Sequence, residues 1–113
     1  MTIAVDSESH PGTVVLTAVG ELDVHTEPLL RAAVLGLPPG TPTIVIADLT
    51  GLTFMDSSGL GVLVATHKQA RAADGGLRVV CSPGPVLRML EITGLRSALD
   101  VYPTFDEAIA ASS

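Results

Sequence analysis

Aromatic residues and cysteine are scarce in this sequence of 113 residues. Only 3% of the residues are aromatic, and tryptophan is absent. The core must therefore be built from aliphatic side chains, which suit packed layers of sheet and helix better than an aromatic-lined ligand cavity. The one cysteine, Cys81, excludes a disulfide within the chain. It ends an apolar run, which favours a buried structural thiol over a nucleophile.

Basic residues are also few, because 6 Lys and Arg stand against 12 Asp and Glu and give a formal net charge of −6. Binding of nucleic acid needs a cluster of cations, and the sequence has none, so we expect no nucleic acid partner. No apolar run approaches the roughly 20 residues that cross a bilayer, and no secretory signal begins the chain. We therefore expect a cytoplasmic protein with no membrane partner.

Motifs for metal, nucleotide and hydrolytic chemistry are missing as well. The three histidines and the cysteine have no spacing typical of a metal site. A Gly-x-x-x-x-Gly-Lys phosphate loop and a Gly-x-Ser-x-Gly nucleophile elbow do not occur. We predict no cofactor, no metal and no enzymatic activity.

The length and the hydrophobic content of 47% suit one soluble domain, which we take to span residues 1–113. Apolar periodicity and turn residues divide this domain into predicted elements. In chain order they are strands over 2–8 and 13–19, a helix from Thr26 that ends at Pro38-Pro39-Gly40, a strand over 43–48, a loop over 49–55, a helix over 58–73, a strand over 77–81, a helix opened by 82–85 and stopped by Gly94, a strand over 98–102, and a short helix after Thr104.

The alternation of the later strands with helices predicts an α/β fold with a mostly parallel sheet of four to five strands and about four helices. Residues 43–47 form a β-branched run without polar alternation, which is typical of a central strand covered on both faces. The first two strands form a hairpin, which adds an antiparallel edge strand. In the helix before Gly94 we expect Val86, Leu87, Leu90 and Ile92 to face inward.

Two serines stand where the second long helix begins, in Asp56-Ser57-Ser58-Gly59. We expect the hydroxyls to lie at the carboxyl end of a central strand, beside free backbone N–H groups that favour an anion. Gly59 and Gly61 are poor helix formers, which suggests that a protein or a phosphate approaches the backbone there. In the alternative interpretation, Asp56 or Ser57 only caps the helix.

Apolar and acidic residues surround the serine pair. Phe54 and Met55 either pack under the domain or face a partner, and packing is the favoured interpretation. Asp23 ends the segment Gly-Glu-Leu-Asp, which we expect to lie close to the serine loop. Its carboxylate either caps a turn or contacts a partner, and the same two roles are open to Asp56.

Residues 48–63, together with 20–23 and 26–30, resemble the STAS domain of bacterial anti-sigma factor antagonists. The most specific part is Phe-Met-Asp-Ser-Ser-Gly-Leu-Gly. The resemblance implies that an anti-sigma factor with serine kinase activity phosphorylates the second serine, which is Ser58 here, and that a serine phosphatase reverses the step. Glu27 departs from the family, where a small residue is more common, and this leaves the identity of the partner open.

The function implied is a switch in which the unphosphorylated chain binds the anti-sigma factor and releases the sigma factor. Phosphorylation of Ser58 adds charge beside the partner and ends binding, and the free chain is expected to be a monomer. The expected partner-binding residues are Asp23, Asp56, Ser57, Ser58, Gly59 and Gly61. One alternative is a STAS interaction or ligand-binding module without a sigma factor, and another is a phosphocarrier that uses His25.

Overall fold

The computed structural model describes residues 1–37 and 43–111, and these residues form a five-stranded sheet in the order β1-β2-β3-β4-β5. β1 lies antiparallel to β2, while each later neighbour pair is parallel. The predicted α/β fold with an antiparallel edge strand is confirmed. The strands are β1 (Thr2–Asp6), β2 (Thr13–Leu22), β3 (Ile44–Met55), β4 (Gly76–Val80) and β5 (Asp100–Tyr102).

The described residues contain five helices where about four were predicted. The additional helix is a single turn that follows Gly94 and takes up Ala98, so the last strand begins at Asp100. The predicted helix end at 38–40 lies outside the described residues. No helix in the described part of the chain has both the length and the hydropathy of a membrane span. The helices are α1 (Glu27–Leu35), α2 (Ser57–Ala72), α3 (Pro85–Ile92), α4 (Leu95–Ala98) and α5 (Phe105–Ala110).

The predicted loop over 49–55 is wrong, because β3 continues without a break to Met55. The end of β2 supplies the partner strand, with Val19 opposite Gly51 and Leu22 opposite Met55. Two register shifts, between Thr17 and Val19 and between Gly20 and Glu21 of β2, accommodate the long pairing. A side chain at Gly51 would approach a methyl of Val19 within 2.9 Å, which explains the glycine.

Both faces of the central strands are buried, as the unbroken apolar run of β3 predicts. The larger core lies under α1, α2 and α3, and the smaller core lies under α5. Neighbouring residues of one strand contribute to opposite cores, as Val45 and Ile46 of β3 do. Cys81 belongs to the larger core and is buried, as predicted.

Arg78 is a buried cation within β4, with only 7% of its surface exposed. Its Nη1 donates a hydrogen bond of 2.8 Å to the carbonyl of Ala108 in α5. A bond between a guanidinium and a carbonyl in the interior holds this six-residue helix on the sheet. The ring of Phe105 adds a contact with His10 at the hairpin, with ring centroids 5.8 Å apart.

We predict that Arg78→Ala lowers the free energy of unfolding by about 2 to 3 kcal/mol, because it removes the buried, charged hydrogen bond to the Ala108 carbonyl. Urea denaturation followed by circular dichroism measures the change. Arg71→Ala, at an exposed position in α2, is the control and is expected to stay within about 0.5 kcal/mol of wild type. Equal losses in the two variants would contradict the role given to Arg78.

Candidate functional site

Two parallel strands end side by side at one edge of the sheet, and the chain turns there twice. Leu22 of β2 and Met55 of β3 are register partners, and the Asp56 N–H donates to the Leu22 carbonyl at 3.1 Å. Asp23 and Asp56 therefore follow neighbouring strand ends. The structure thus brings the Asp23 turn and the serine segment to one edge, as the sequence predicts.

Asp56 is the N-cap of α2. Its Oδ1 accepts a hydrogen bond of 2.8 Å from the Ser58 N–H, and its carbonyl accepts from Gly59 at 3.1 Å and from Leu60 at 3.3 Å. The capping role of Asp56 is confirmed. The expectation of free N–H groups is wrong for these three residues, because one aspartate binds them all. An anion at this helix start would meet a carboxylate there.

Ser57 and Ser58 are the first two residues of α2. Ser57 is exposed and Ser58 is half-buried. Within residues 1–37 and 43–111, neither hydroxyl has a hydrogen-bond partner. Both oxygens are therefore available for a reaction that leaves the bonds of the cap intact.

The two glycines of the first turns differ in their surroundings. A Cβ on Gly59 would lie 2.7 Å from Cδ2 of Leu22 and 2.8 Å from Cγ of Met55. The group that approaches Gly59 is therefore the protein's own core, which packs the start of α2 tightly onto the two strand ends. A Cβ on Gly61 would meet nothing within 4 Å, and this residue is exposed. For Gly61, approach by a partner stays a prediction.

Asp23 caps the turn between β2 and α1. Its Oδ1 accepts from the backbone N–H groups of His25 at 2.9 Å and Thr26 at 3.0 Å, and the Thr26 hydroxyl donates to the Glu21 carbonyl at 2.7 Å. The backbone bond from Thr26, followed by that from His25, lowers the pKa of Asp23 below its ordinary value. The capping role is confirmed, and contact with a partner stays a prediction. The ionised carboxylate adds negative charge to this edge.

Phe54 and Met55 have opposite environments, because consecutive residues of a strand point to opposite sides. Met55 is 2% exposed, as the packing interpretation predicts, whereas Phe54 is 46% exposed and that interpretation is wrong for it. The error has the same origin as the predicted loop over 49–55, since strand alternation determines which of the two side chains faces outward.

Other reactive side chains form no second site in the described part of the chain. Burial raises the pKa of the Cys81 thiol, which keeps it protonated and unreactive. The side chain of His25 is exposed beside the Asp23 turn. No group of three or more His, Cys, Asp or Glu among the described residues could hold a metal ion.

The sequence model of the STAS domain family matches residues 4–108, which is nearly the whole chain. The chain belongs to the STAS domain family. A curated STAS relative, the anti-sigma-B factor antagonist of Bacillus subtilis strain 168, is 32% identical over 101 residues, covering 89% of this chain and 92% of that protein. The family resemblance drawn from the serine segment is thereby confirmed.

Solved structures similar to this STAS domain include an anti-sigma factor antagonist from Mycobacterium paratuberculosis. It has a TM-score of 0.83 and 31% identity, and the match covers 96% of this chain and 92% of that one. The Bacillus cell fate determinant SpoIIAA in its phosphorylated form has a TM-score of 0.68 and 28% identity, with 96% of each chain covered. The unphosphorylated form of SpoIIAA has the same TM-score of 0.68, at 26% identity and with 94% and 92% covered.

We predict opposite effects of Gly59→Ala and Gly61→Ala on stability. A methyl at Gly59 would displace Leu22 or Met55 and lower the free energy of unfolding by about 1 to 3 kcal/mol. A methyl at Gly61 enters open space and raises it by up to about 1 kcal/mol, because alanine is the better helix former. Thermal denaturation of both variants tests this, and a stabilising Gly59→Ala would show that the close packing is absent.

The lowered pKa of Asp23 predicts how stability depends on pH. The unfolded chain binds the proton more tightly than the folded one. The Asp23 carboxylate therefore stabilises the fold when the pH is above its ordinary pKa of 3.8, and this stabilisation is lost as the pH falls through the lower pKa of the folded state. Asp23→Asn is expected to reduce stability at neutral pH and to flatten the loss of stability below about pH 4. Urea denaturation of wild type and Asp23→Asn from about pH 3 to 7 measures the stability at neutral pH and its loss in acid. An unchanged acid slope in Asp23→Asn would contradict the capping role.

Proposed function

We propose that this STAS domain is an anti-sigma factor antagonist that acts by binding and catalyses no reaction. The form with a free Ser58 hydroxyl binds an anti-sigma factor and so releases the sigma factor. The anti-sigma factor then phosphorylates Ser58, and binding ends. The names of the relatives support the first step. One observation of the structure supports the second: the Ser58 hydroxyl has no partner among the described residues, and the capping bonds of Asp56 do not involve it.

Ser58 is a better phosphorylation site than its neighbour because its backbone is fixed while its hydroxyl is free. The N–H of Ser58 is bound by the Asp56 carboxylate, which holds the residue in place. Ser57 has no such bond from its N–H among the described residues. The phosphorylated form of SpoIIAA supports phosphorylation as a reaction of proteins with this fold.

The effect on binding follows from the charges at this edge. A phosphoryl group adds about −1.5 to −2 charges at neutral pH. The helix dipole favours it by about 0.3 to 1 kcal/mol, but the nearby Asp56 carboxylate opposes it and already occupies the N–H of Ser58. The added charge therefore remains at the surface. A dehydrated contact between like charges costs several kcal/mol in a complex, and each 1.4 kcal/mol is about tenfold in affinity.

The fold is expected to persist when the charge is added. The bonds that hold the start of α2 come from the Asp56 carboxylate and carbonyl and from the Leu22 carbonyl, and none involves the Ser58 oxygen. Solved structures of SpoIIAA in its phosphorylated and in its unphosphorylated form both match this fold, which supports a fold that persists when the charge is added.

The same proposal includes the remaining parts of the cycle. A serine phosphatase removes the phosphoryl group and restores binding. Because a sigma factor acts on transcription, the site of action is the cytoplasm.

We propose that the chain is one domain over residues 1–113 and a monomer when free, since the net charge of −6 disfavours contact between two copies. Asp23, Asp56, Ser57, Ser58, Gly59 and Gly61 belong to the partner surface, with Gly59 shaping it from beneath.

Substitutions at the two serines test the proposal. Each anti-sigma factor of the source organism is purified and titrated against the wild-type chain and the variants, and phosphate incorporation is measured with ATP. Ser58→Ala is expected to bind and to accept no phosphate, while Ser58→Asp binds about 100-fold more weakly because of its charge. Ser57→Ala is the matched control: it removes an uncharged hydroxyl from the partner surface and adds no charge, so it is expected to accept phosphate and to bind far more tightly than Ser58→Asp.

Three results would contradict the proposal. They are equal binding by Ser58→Ala and Ser58→Asp, phosphate that remains in Ser58→Ala, and no binding of the wild-type chain to any anti-sigma factor. Phosphate that is labile in acid would indicate His25 as the site, and the third result would indicate a STAS module without a sigma factor.

A further inference from the structure

An apolar groove lies between the end of β3 and α3. It has a volume of about 360 Å³, and Phe54, Pro85, Met89 and Ile92 contribute to its lining together with Arg88. Phe54 is 46% exposed and Ile92 is 75% exposed, so two large apolar side chains lie open to solvent within one groove. The prediction that Ile92 faces inward is wrong.

The topology explains why this groove is open. The pairing between β3 and β4 stops at Asp48 and Val80, while β3 continues to Met55. Beyond that point no described strand covers the β4 side of β3, and α3 packs there. α3 ends at Ile92, two residues before the left-handed Gly94, and the side chain of this last apolar residue lies open to solvent.

The groove adjoins the serine segment. Phe54 precedes the cap residue Asp56 by two positions and Ser58 by four. Met55 lines the groove and also lies directly beneath Gly59 at the start of α2. A protein that contacts Ser58 is therefore within reach of Phe54.

Charge decides which occupant fits. Arg88 lines the groove, and its guanidinium has no ion pair or hydrogen bond to any described residue. Glu21 of β2 is the register partner of Phe54, and the acidic residues Asp23 and Asp56 follow the ends of the same two strands. A second copy of this chain bound at the groove would place these carboxylates near carboxylates of the same surface and would be repelled. A complementary partner has an aliphatic side chain with a carboxylate next to it for Arg88, and basic residues that face Asp23 and Asp56.

We propose that the Phe54 groove is a second contact surface for the anti-sigma factor, and that it binds an aliphatic side chain of that partner beside a carboxylate. This inference rests on the proposed function and adds a division of roles. The groove supplies affinity that does not depend on the state of Ser58, while the serine segment supplies the part that phosphorylation removes. The kinase therefore uses the groove to bind its substrate.

The test uses Phe54→Ser and Ile92→Ser with the anti-sigma factor that binds the wild-type chain. Ile92→Ser is expected to keep the wild-type melting temperature, because Ile92 is 75% exposed. Phe54 is 46% exposed, so Phe54→Ser is expected to stay folded with a melting temperature lowered by a few degrees. Each variant is expected to bind about tenfold more weakly and to raise the KM for phosphorylation of Ser58, with kcat unchanged. Val5→Ser is the matched control, because Val5 is 51% exposed on the edge strand β1 and lies outside the groove.

Arg88→Gln separates the carboxylate contact from the apolar one. Raised salt is expected to weaken wild-type binding more than Arg88→Gln binding, because the variant has lost the ion pair. An equal salt dependence would remove the carboxylate from the proposal.

The two proposals fail in different ways. Wild-type affinity and KM in both Phe54→Ser and Ile92→Ser, with weak binding by Ser58→Asp, would overturn the groove and leave the switch intact. Normal binding by Ser58→Asp would overturn the switch itself. A loss in Val5→Ser equal to that in Phe54→Ser would show that exposed apolar residues act without specificity, which also contradicts the groove.

Discussion

The structure depends on the pairing of two parallel strand ends, where Leu22 of β2 lies beside Met55 of β3 and the Asp56 N–H donates to the Leu22 carbonyl. This pairing brings the turn at Asp23 and the start of α2 to one edge of the sheet. It also places Leu22 and Met55 against Gly59, so that α2 can begin close to the strands. The position of both serines follows from these contacts.

At this edge, the aspartates that maintain the fold are distinct from the Ser58 hydroxyl, which we propose is phosphorylated. Asp56 binds the N–H groups of Ser58, Gly59 and Leu60 with its carboxylate and its carbonyl. Asp23 likewise binds N–H groups of the turn before α1. The Ser58 hydroxyl takes part in none of these bonds. A charge added to that oxygen therefore acts on whatever approaches from outside, while the exposed apolar groove at Phe54 remains unchanged beside it.

Local patterns in the sequence predict much of this architecture and fail where distant residues decide. The unbroken β-branched run over 43–47 identifies β3 as a central strand, and Asp-Ser-Ser-Gly identifies the cap at Asp56. The continuation of β3 through Gly51 depends on pairing with β2 more than 30 positions away, which no local signal contains. The burial of Arg78 depends on α5 in the same way. The exposure of Phe54 follows only from the corrected strand, since alternation then directs Met55 inward and Phe54 outward.

The central claim is that one phosphoryl group changes docking and leaves the fold unchanged. The most direct measurement prepares the chain fully phosphorylated on Ser58 and compares it with the unmodified chain in two ways, by melting temperature and by affinity for the anti-sigma factor. The account predicts melting temperatures within a few degrees and an affinity that falls by about 100-fold. Undiminished affinity, or a phosphorylated chain that has lost its fold, would contradict it.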